Sequence, residues 1–383
     1  MKLRSLFSVI RQMLFLWLRC LSALCVSSSR KALPVLILCC ALLPVGCSNE
    51  PAHESSVSYS AVSSEQDITT ESREVFAMDT VMTIRATGVN AADAVDAAVK
   101  EIQRLDALLS VGDSGSEVYA VNKNGKGELS EDTLYLIQKA LQIYESTSGA
   151  YDMTVYPIMQ LWGFTGEHPS VPEEKDIKRV LEHCGSDKLT LSGNTLILGN
   201  GQGIDFGGIA KGYASGRIMK IFEDKGMISG VVSLGGNVHC YRTKPDGSMW
   251  RCGITDPEHP DDTSFMLGVL SVSDKAVITS GGYERFFSDS SGGTYHHIMD
   301  MKTGHPADSG LVSVTIVSSD GAMADGLSTA CYVMGEEKAI DYWRQNKNDF
   351  DMILLTSDDR LLVTEGITDS FSSEKPVHKI SAS

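Results

Sequence analysis

Apolar and polar positions change rhythm several times along this chain of 383 residues, and each change predicts an element. From Arg73, "REVFAMDTVMTIRA" alternates and is rich in β-formers, the pattern of a strand or hairpin. Val95, Val99, Ile102, Leu105 and Leu109 then recur at helical spacing behind Asn90, a residue suited to an N-cap. Ser130 heads a second helical stretch carrying Ile137, Leu141 and Tyr144 and ending at Gly149. A third helix is predicted from about Glu173 to Cys184, stopped by Gly185. "KLTLSGNTLILG" reads as a hairpin turning at Gly193-Asn194. Ile209 to about Lys225 reads as helix, "GVVSLGGNVHCY", "FMLGVLSVS" and "SVTIVSS" as strands, and a helix follows from about Met323. Strands and helices interleave without an internal repeat or a second linker, which predicts one α+β unit over residues 73–383.

The chain before Arg73 follows neither rhythm. Residues 1–46 carry Lys2, Arg4, Arg11, Arg19, Arg30 and Lys31 and no acid, followed by the apolar run "ALPVLILCCALLPVGC". That run is too short for a mature transmembrane helix, and a basic start before an apolar core describes an export signal. The stretch before Lys31 reads as an extended basic region or as a start assigned upstream. The break at Gly46-Cys47 resembles a bacterial lipoprotein box, with Pro44 in the usual Leu position, and predicts lipidation at Cys47. A plain signal peptide or a membrane anchor is the competing reading. Residues 48–72 hold eight Ser and almost no large apolar residue, so 47–72 reads as a lipidated Cys and a disordered tether. Twenty-five such residues reach on the order of 25–30 Å as a random coil. The predicted location is the extracytoplasmic face of the cell membrane, held by lipid.

Charge sharpens this picture. The net charge of −16 excludes the basic footprint of a nucleic-acid binder. Without residues 1–46 the chain keeps 27 basic against 49 acidic residues, net −22, so anionic lipid would not attract it. Of nine cysteines, Cys184, Cys240, Cys252 and Cys331 fall in the folded part without a Cys-x-x-Cys pair. That is neither a zinc pattern nor a disulfide scaffold; buried thiols are the default and a single disulfide stays open.

Three stretches carry candidate chemistry. "IDFGGIAKGYASGRIM" places Asp205 at a predicted strand end, then Gly207-Gly208, then Lys211 at a helix start. Close backbone approach, a helix N-terminus and a Lys suit a phosphate, but the spacing is not a Walker loop, and a tight structural turn explains it equally well. "DGAMADGLSTACYVMG" puts Asp325 and Thr329 four apart, on one helix face. These hard oxygen donors suit Mg²⁺, while capping of the helix start is the simpler explanation. "GGTYHHIMDMKTGHP" holds His296, His297, Asp300 and His305. On a strand His296 and His297 face opposite ways, which fits zinc poorly. His297 with Asp300 as its orienting carboxylate would make an acid/base pair, against a surface loop as the alternative.

Taken together these segments resemble the ApbE family of FAD:protein FMN transferases. "AMDTVMTI", "SGAYDMTVYPIMQLWGF", "IDFGGIAKGYASGRIM", "VVSLGGNVHCY", "ITSGGYERFF", "YHHIMDMKTGHP" and "MADGLSTACYVMG" occur in the family's order, from about Phe76 to Gly335. The resemblance implies a mixed, largely antiparallel β-sheet core with helices packed on it. It implies Mg²⁺-dependent cleavage of the FAD pyrophosphate, with FMN passing to a Thr or Ser hydroxyl of a partner protein and AMP leaving. It suggests membrane redox subunits with exported flavin domains as partners. Asp325 and Thr329 would ligate Mg²⁺ through side chains and Gly208 through its carbonyl. Asp205 and Lys211 would hold FAD, and Met78 with Ala150-Tyr151-Asp152 would line the nucleotide site. His297 would stand near the attacked phosphate as the base, with Ile298 at the ligand and Asp300 orienting the ring.

Two departures from the family pattern stand out. Met301 occupies a position that is commonly Pro, which would stiffen the loop. Val111-Gly112 follows Ser110 where an aromatic is common, so a stacking contact to FAD is either missing or supplied from elsewhere, for example by Tyr119 or Tyr151. Two other readings stay open: a FAD pyrophosphatase releasing FMN and AMP, and a non-catalytic flavin-binding lipoprotein.

Overall fold

Nine strands cross one sheet in the same order in which they occur along the chain. They are β1 (Thr69–Ala77), β2 (Thr80–Gly88), β3 (Ser229–Leu234), β4 (Asn237–Tyr241), β5 (Ala276–Gly281), β6 (Leu311–Ser318), β7 (Phe350–Thr356), β8 (Leu361–Thr364) and β9 (Val377–Ile380). Every neighbouring pair is antiparallel except β8 and β9, which run parallel. The mixed, largely antiparallel α+β architecture expected from the sequence is therefore the one observed. The computed structural model describes residues 67–262 and 264–383. The expected signal peptide, the expected lipidation at Cys47 and the tether up to residue 66 lie outside the described residues. The tether boundary at residue 72 is corrected: Thr69–Ser72 already pair with Arg85–Gly88. Their polar side chains hid this, because β1 is the sheet edge and much of it faces solvent.

The side-chain period of two sends alternate residues to two different cores. Val314, Ile316, Met352 and Leu354 point to a helical layer. Val317, Ile353 and Leu355 point the other way, against Cys252, Ile254, Leu267 and Leu270 of a small three-stranded sheet. That sheet is ordered 371–372, 266–272, 250–255. Strands buried on both faces read as continuous apolar runs, which is why β6 and β7 show no alternation. Cys240 and Cys252 face each other between the two sheets with 3.7 Å between sulfurs. All four described thiols are buried.

The helical layer holds α1 (Ala91–Leu109), α2 (Glu131–Ser146), α3 (Ala210–Asp224), α4 (Gly321–Met334) and α5 (Glu336–Asn346). Val95, Ile102, Leu105 and Leu109 are buried as their spacing predicted, each contributing roughly 1.5–3 kcal/mol. Ser130 does cap α2, accepting from the Thr133 amide, whereas the Asn90 side chain makes no cap bond to α1. The helix expected from Glu173 to Cys184 is regular only over Glu174–Leu181. Gly212 and Gly321 mark where α3 crosses α4; a Cβ on either would run into the other's carbonyl oxygen.

A third, smaller cluster joins Ile158, Met159, Trp162 and Phe164 to Met299, with Phe287, Tyr295 and Met301 packed against it. It sits under the His-rich segment. Trp162 Nε1 donates to the Gly304 carbonyl at 2.8 Å. Gly304 has φ of 72°, and a Cβ there would lie 2.5 Å from Ile177 Cγ2. Met301 thus packs its side chain where Pro would only have fixed the backbone.

Candidate active site

The sheet, α3, α4 and the loops enclose a cavity of about 1570 Å³. Met78, Ala150, Tyr151, Asp152, Asp205, Gly208, Lys211, His297, Ile298, Asp325 and Thr329 all line it. Asp300 and Tyr119 do not.

Two hairpin tips form one corner. Ala77 pairs with Thr80, so Met78 and Asp79 make a two-residue turn with φ of 47° and 60°. Such primed turns ordinarily use Gly or Asn, and left-handed non-Gly residues cost on the order of 1 kcal/mol or more each. The adjacent turn, between Leu234 and Asn237, has Gly235 and Gly236 at φ of 62° and 94°. A Cβ on Gly235 would lie 2.7 Å from Thr80 Cγ2, so glycine lets the two tips meet.

Asp325 is buried, held by two donors: the Gly212 amide reaches Oδ2 at 2.8 Å and Asn237 Nδ2 reaches Oδ1 at 3.1 Å. The first bond satisfies one of the orphan amides in the first turn of α3 with a carboxylate from α4, favourable to the dipole of α3. Each carboxylate oxygen keeps a lone pair for a further partner. One turn on, Thr329 Oγ1 lies 3.4 Å from Ser280 Oγ. A Cβ on Gly208 would come within 3.3 Å of Thr329 Oγ1 and 3.2 Å of the Tyr151 ring. Glycine therefore leaves the most room between that backbone and the hydroxyl. The Tyr151 hydroxyl beside it is buried without a hydrogen-bond partner. Burial, with the nearby Asp325, Asp205 and Asp152 charges, pushes that phenol well up. Hard oxygens and an orphaned hydroxyl fit a small divalent cation. Among the described residues no cluster of three His, Cys, Asp or Glu that could hold a metal ion occurs, here or elsewhere.

The glycine turn ahead of α3 forms the neighbouring part of the cavity wall. Asp205 was expected at a strand end; it lies instead in an irregular segment after the strand Thr195–Ile197. Its amide donates to the Met153 carbonyl at 2.8 Å, and its Oδ1 accepts from the Gly207 amide at 2.6 Å. Burial raises its pKa, opposed by the Gly207 amide and by Arg285 and Lys211. Lys211 stands in the first turn of α3, its Nζ 3.3 Å from the Gly207 carbonyl, and makes no ion pair among the described residues. Asp152 lines the cavity with its backbone loop tightly held. Its Oδ1 accepts from the Thr154 amide, Thr154 Oγ1 and Ser186 Oγ, which fixes the loop.

On the opposite wall the strand Thr294–His296 ends just before His297. His296 turns away as expected, with Nε2 3.1 Å from the Ala307 carbonyl and Nδ1 accepting from the Ile298 amide. His297 lies 3.1 Å through Nδ1 from the Arg285 carbonyl. A carbonyl only accepts, so Nδ1 carries the hydrogen and Nε2 the lone pair. Burial, with Lys211 and Arg285 nearby, pulls the imidazole down to about 4, so it is neutral near pH 7. The expected partnership with Asp300 is corrected. Asp300 Oδ1 accepts from the Lys302 amide within the 300–304 turn, and the ring is oriented by main chain instead.

Glu284 and Arg285 of "ITSGGYERFF" also line the cavity, beyond the residues expected there from sequence. Desolvation raises the Glu284 carboxyl to about 7, with Lys211 opposing and Asp325 adding to the shift. The adjacent opposite charges after "SGGY" were the available signal.

This chain matches the model of the ApbE family over residues 78–354. It is 30% identical to the FAD:protein FMN transferase of Treponema pallidum over 321 residues, 78% of this chain and 88% of that protein. It is 31% identical to the FAD:protein FMN transferase of Vibrio cholerae over 263 residues, 67% of this chain and 78% of that protein. The crystal structure of the ApbE protein of Thermotoga maritima superposes with a TM-score of 0.72 at 32% identity, covering 78% of this chain and 98% of that one. The apo flavinyl transferase ApbE of Pseudomonas stutzeri gives 0.69 at 25% identity, covering 80% and 98%.

Proposed function

The chain belongs to the ApbE family, and from that premise we propose that it moves the FMN moiety of FAD onto a Thr or Ser hydroxyl of an acceptor protein. The observation that carries this reading is the convergence on one cavity of a neutral imidazole, an unpaired Lys and an oxygen set suited to a divalent cation. The acceptor oxygen attacks the phosphorus of the FMN half, and a phosphoester bond forms. The bond from that phosphorus to the bridging oxygen breaks, and AMP leaves with that oxygen and the electron pair. His297 Nε2 takes the hydroxyl proton, which an alcohol must lose to be an effective nucleophile. Lys211 and the first turn of α3 offset charge on the pyrophosphate. Asp325, Thr329 and the Gly208 carbonyl would hold Mg²⁺, which supplies Lewis-acid neutralisation of the departing phosphate. Asp205 holds the glycine turn in shape, while Met78 and Tyr151 bound the flavin-nucleotide space.

The chain works at the extracytoplasmic face, anchored by lipid on Cys47. The basic start, apolar run and cysteine of residues 1–47 support this. Among the described residues no helix is long and apolar enough to cross a membrane. Membrane redox subunits with exported flavin domains are the proposed acceptors. Cys47→Ser should release the chain from the membrane fraction; retention there would overturn the anchor.

The deciding experiment incubates the enzyme with FAD, Mg²⁺ and exported domains of membrane redox subunits, read by intact mass and in-gel flavin fluorescence. Covalent FMN on an acceptor, abolished by chelation, is expected. Folded enzyme that labels none of them overturns the reading. Rapid AMP release without acceptor would identify a pyrophosphatase instead.

A further inference from the structure

The outer strand of the small sheet, Trp250–Thr255, pairs with Met266–Val272 on one side only. Four consecutive residues of it, Cys252, Gly253, Ile254 and Thr255, line the active-site cavity. Side chains alternate across a strand, and here Cys252 and Ile254 are buried while Gly253 and Thr255 are exposed. Residues facing opposite ways can all border one cavity only if the edge of the strand faces it. Among the described residues, Cys252–Thr255 make no backbone bond outside their own sheet. The outward N–H and C=O groups therefore open onto the same space as His297, Lys211 and Asp325.

We infer that this edge is the docking site for the acceptor polypeptide, whose segment bearing the Thr or Ser adds as a fourth, extended strand. This rests on the proposed transferase reading, which requires a polypeptide to bring a hydroxyl into the cavity. A sheet edge is the one surface that recognises main chain regardless of side chains. Four residues span roughly 13 Å and present about four outward hydrogen-bonding groups. The volume of about 1570 Å³ exceeds the roughly 300–1,000 Å³ of ordinary small-ligand pockets, so a chain segment has room beside the dinucleotide. The small sheet is fastened by Ile254, Leu267 and Leu270 to the main sheet, so the added strand is held at fixed distance from β4 and β5. Recognition is thereby divided: main chain is read at the edge, and the hydroxyl is selected by reach to His297.

Amide hydrogen exchange on the FAD-loaded enzyme tests this. The probe is the acceptor domain labelled in the transfer assay, with its modified residue replaced by Val to prevent turnover. Exchange within Cys252–Thr255 should slow at least tenfold on adding that domain. Unchanged exchange there, at concentrations where the native acceptor is labelled, overturns the docking site and leaves the transferase reading standing. Failure to label any acceptor overturns the transferase reading and this inference with it.

Discussion

The two walls of the cavity are made in different ways. The wall of Asp325 and Thr329 belongs to α4, locked against α3 by a glycine crossing and buried in the main core. The wall of His297 is a strand end and a turn, resting on the small aromatic cluster around Trp162 and held by main-chain bonds. The proposed cation side is thus specified by a helix, the proposed proton-handling side by a loop and what lies beneath it. Damage to one wall should therefore leave the other's binding function measurable.

One break comes from the helical wall. Asp325→Ala should lower transfer about 10²–10³-fold at fixed Mg²⁺, as for other losses of a charge-stabilising group, with titration of Mg²⁺ shifted to higher concentration. His297→Asn should lower transfer about 10²–10⁴-fold while FAD binding, read by flavin fluorescence, holds. Equal loss of FAD affinity in that variant would erase the distinction between walls. Trp162→Ala removes a fully buried indole and its bond to Gly304, costing about 3–5 kcal/mol of stability. It should impair transfer more than Mg²⁺ binding; the reverse would show that the cluster supports α4.

Acidity tests the comparison more gently. His297 and the buried His239 both have imidazoles pulled down to about 4, chiefly by burial. The unfolded chain then binds more protons between about 4 and 6.5, so stability falls as pH drops through that window. The raised Glu284 carboxyl acts oppositely, favouring the folded state below about 7 and losing that contribution as pH rises. The acid limb of kcat/KM should lie below the ordinary imidazole range; a limb at 6.5 would remove His297 as the base. The smallest effect is expected for Met301→Pro. Asp300 before it is already extended, as a residue before Pro requires, so only the packing of the Met side chain is lost. The melting temperature should move by no more than a few degrees.

The same contrast governs what could be read from the chain. Asp325 and Thr329 were placed together because helical spacing is fixed by local geometry, four residues to a shared face. Lys211 was placed at a helix start for the same reason. The His297–Asp300 pairing failed because a turn folds three residues back on themselves, and the Asp300 carboxylate met the Lys302 amide first. Asp205 looked like a strand end because its apolar neighbours Ile204 and Phe206 are core residues of an irregular segment. The strand Trp250–Thr255 carries no strong pattern, and its place at the cavity depends on pairing with Met266–Val272. Tyr119 opens instead onto a separate small pocket, at a distance no spacing in the chain encodes.

The sheet's plain strand order has a kinetic side. β1 and β2 close as a hairpin at once, but residues 89–228 must be accommodated before β3 can pair with β2. Loop-closure entropy grows only logarithmically over such a span, yet distant pairings slow folding. Met78 is made in the first interval, Lys211 in the second and Asp325 near the end. No partly synthesised chain holds all three, so an incomplete polypeptide has no assembled site in which to cleave FAD.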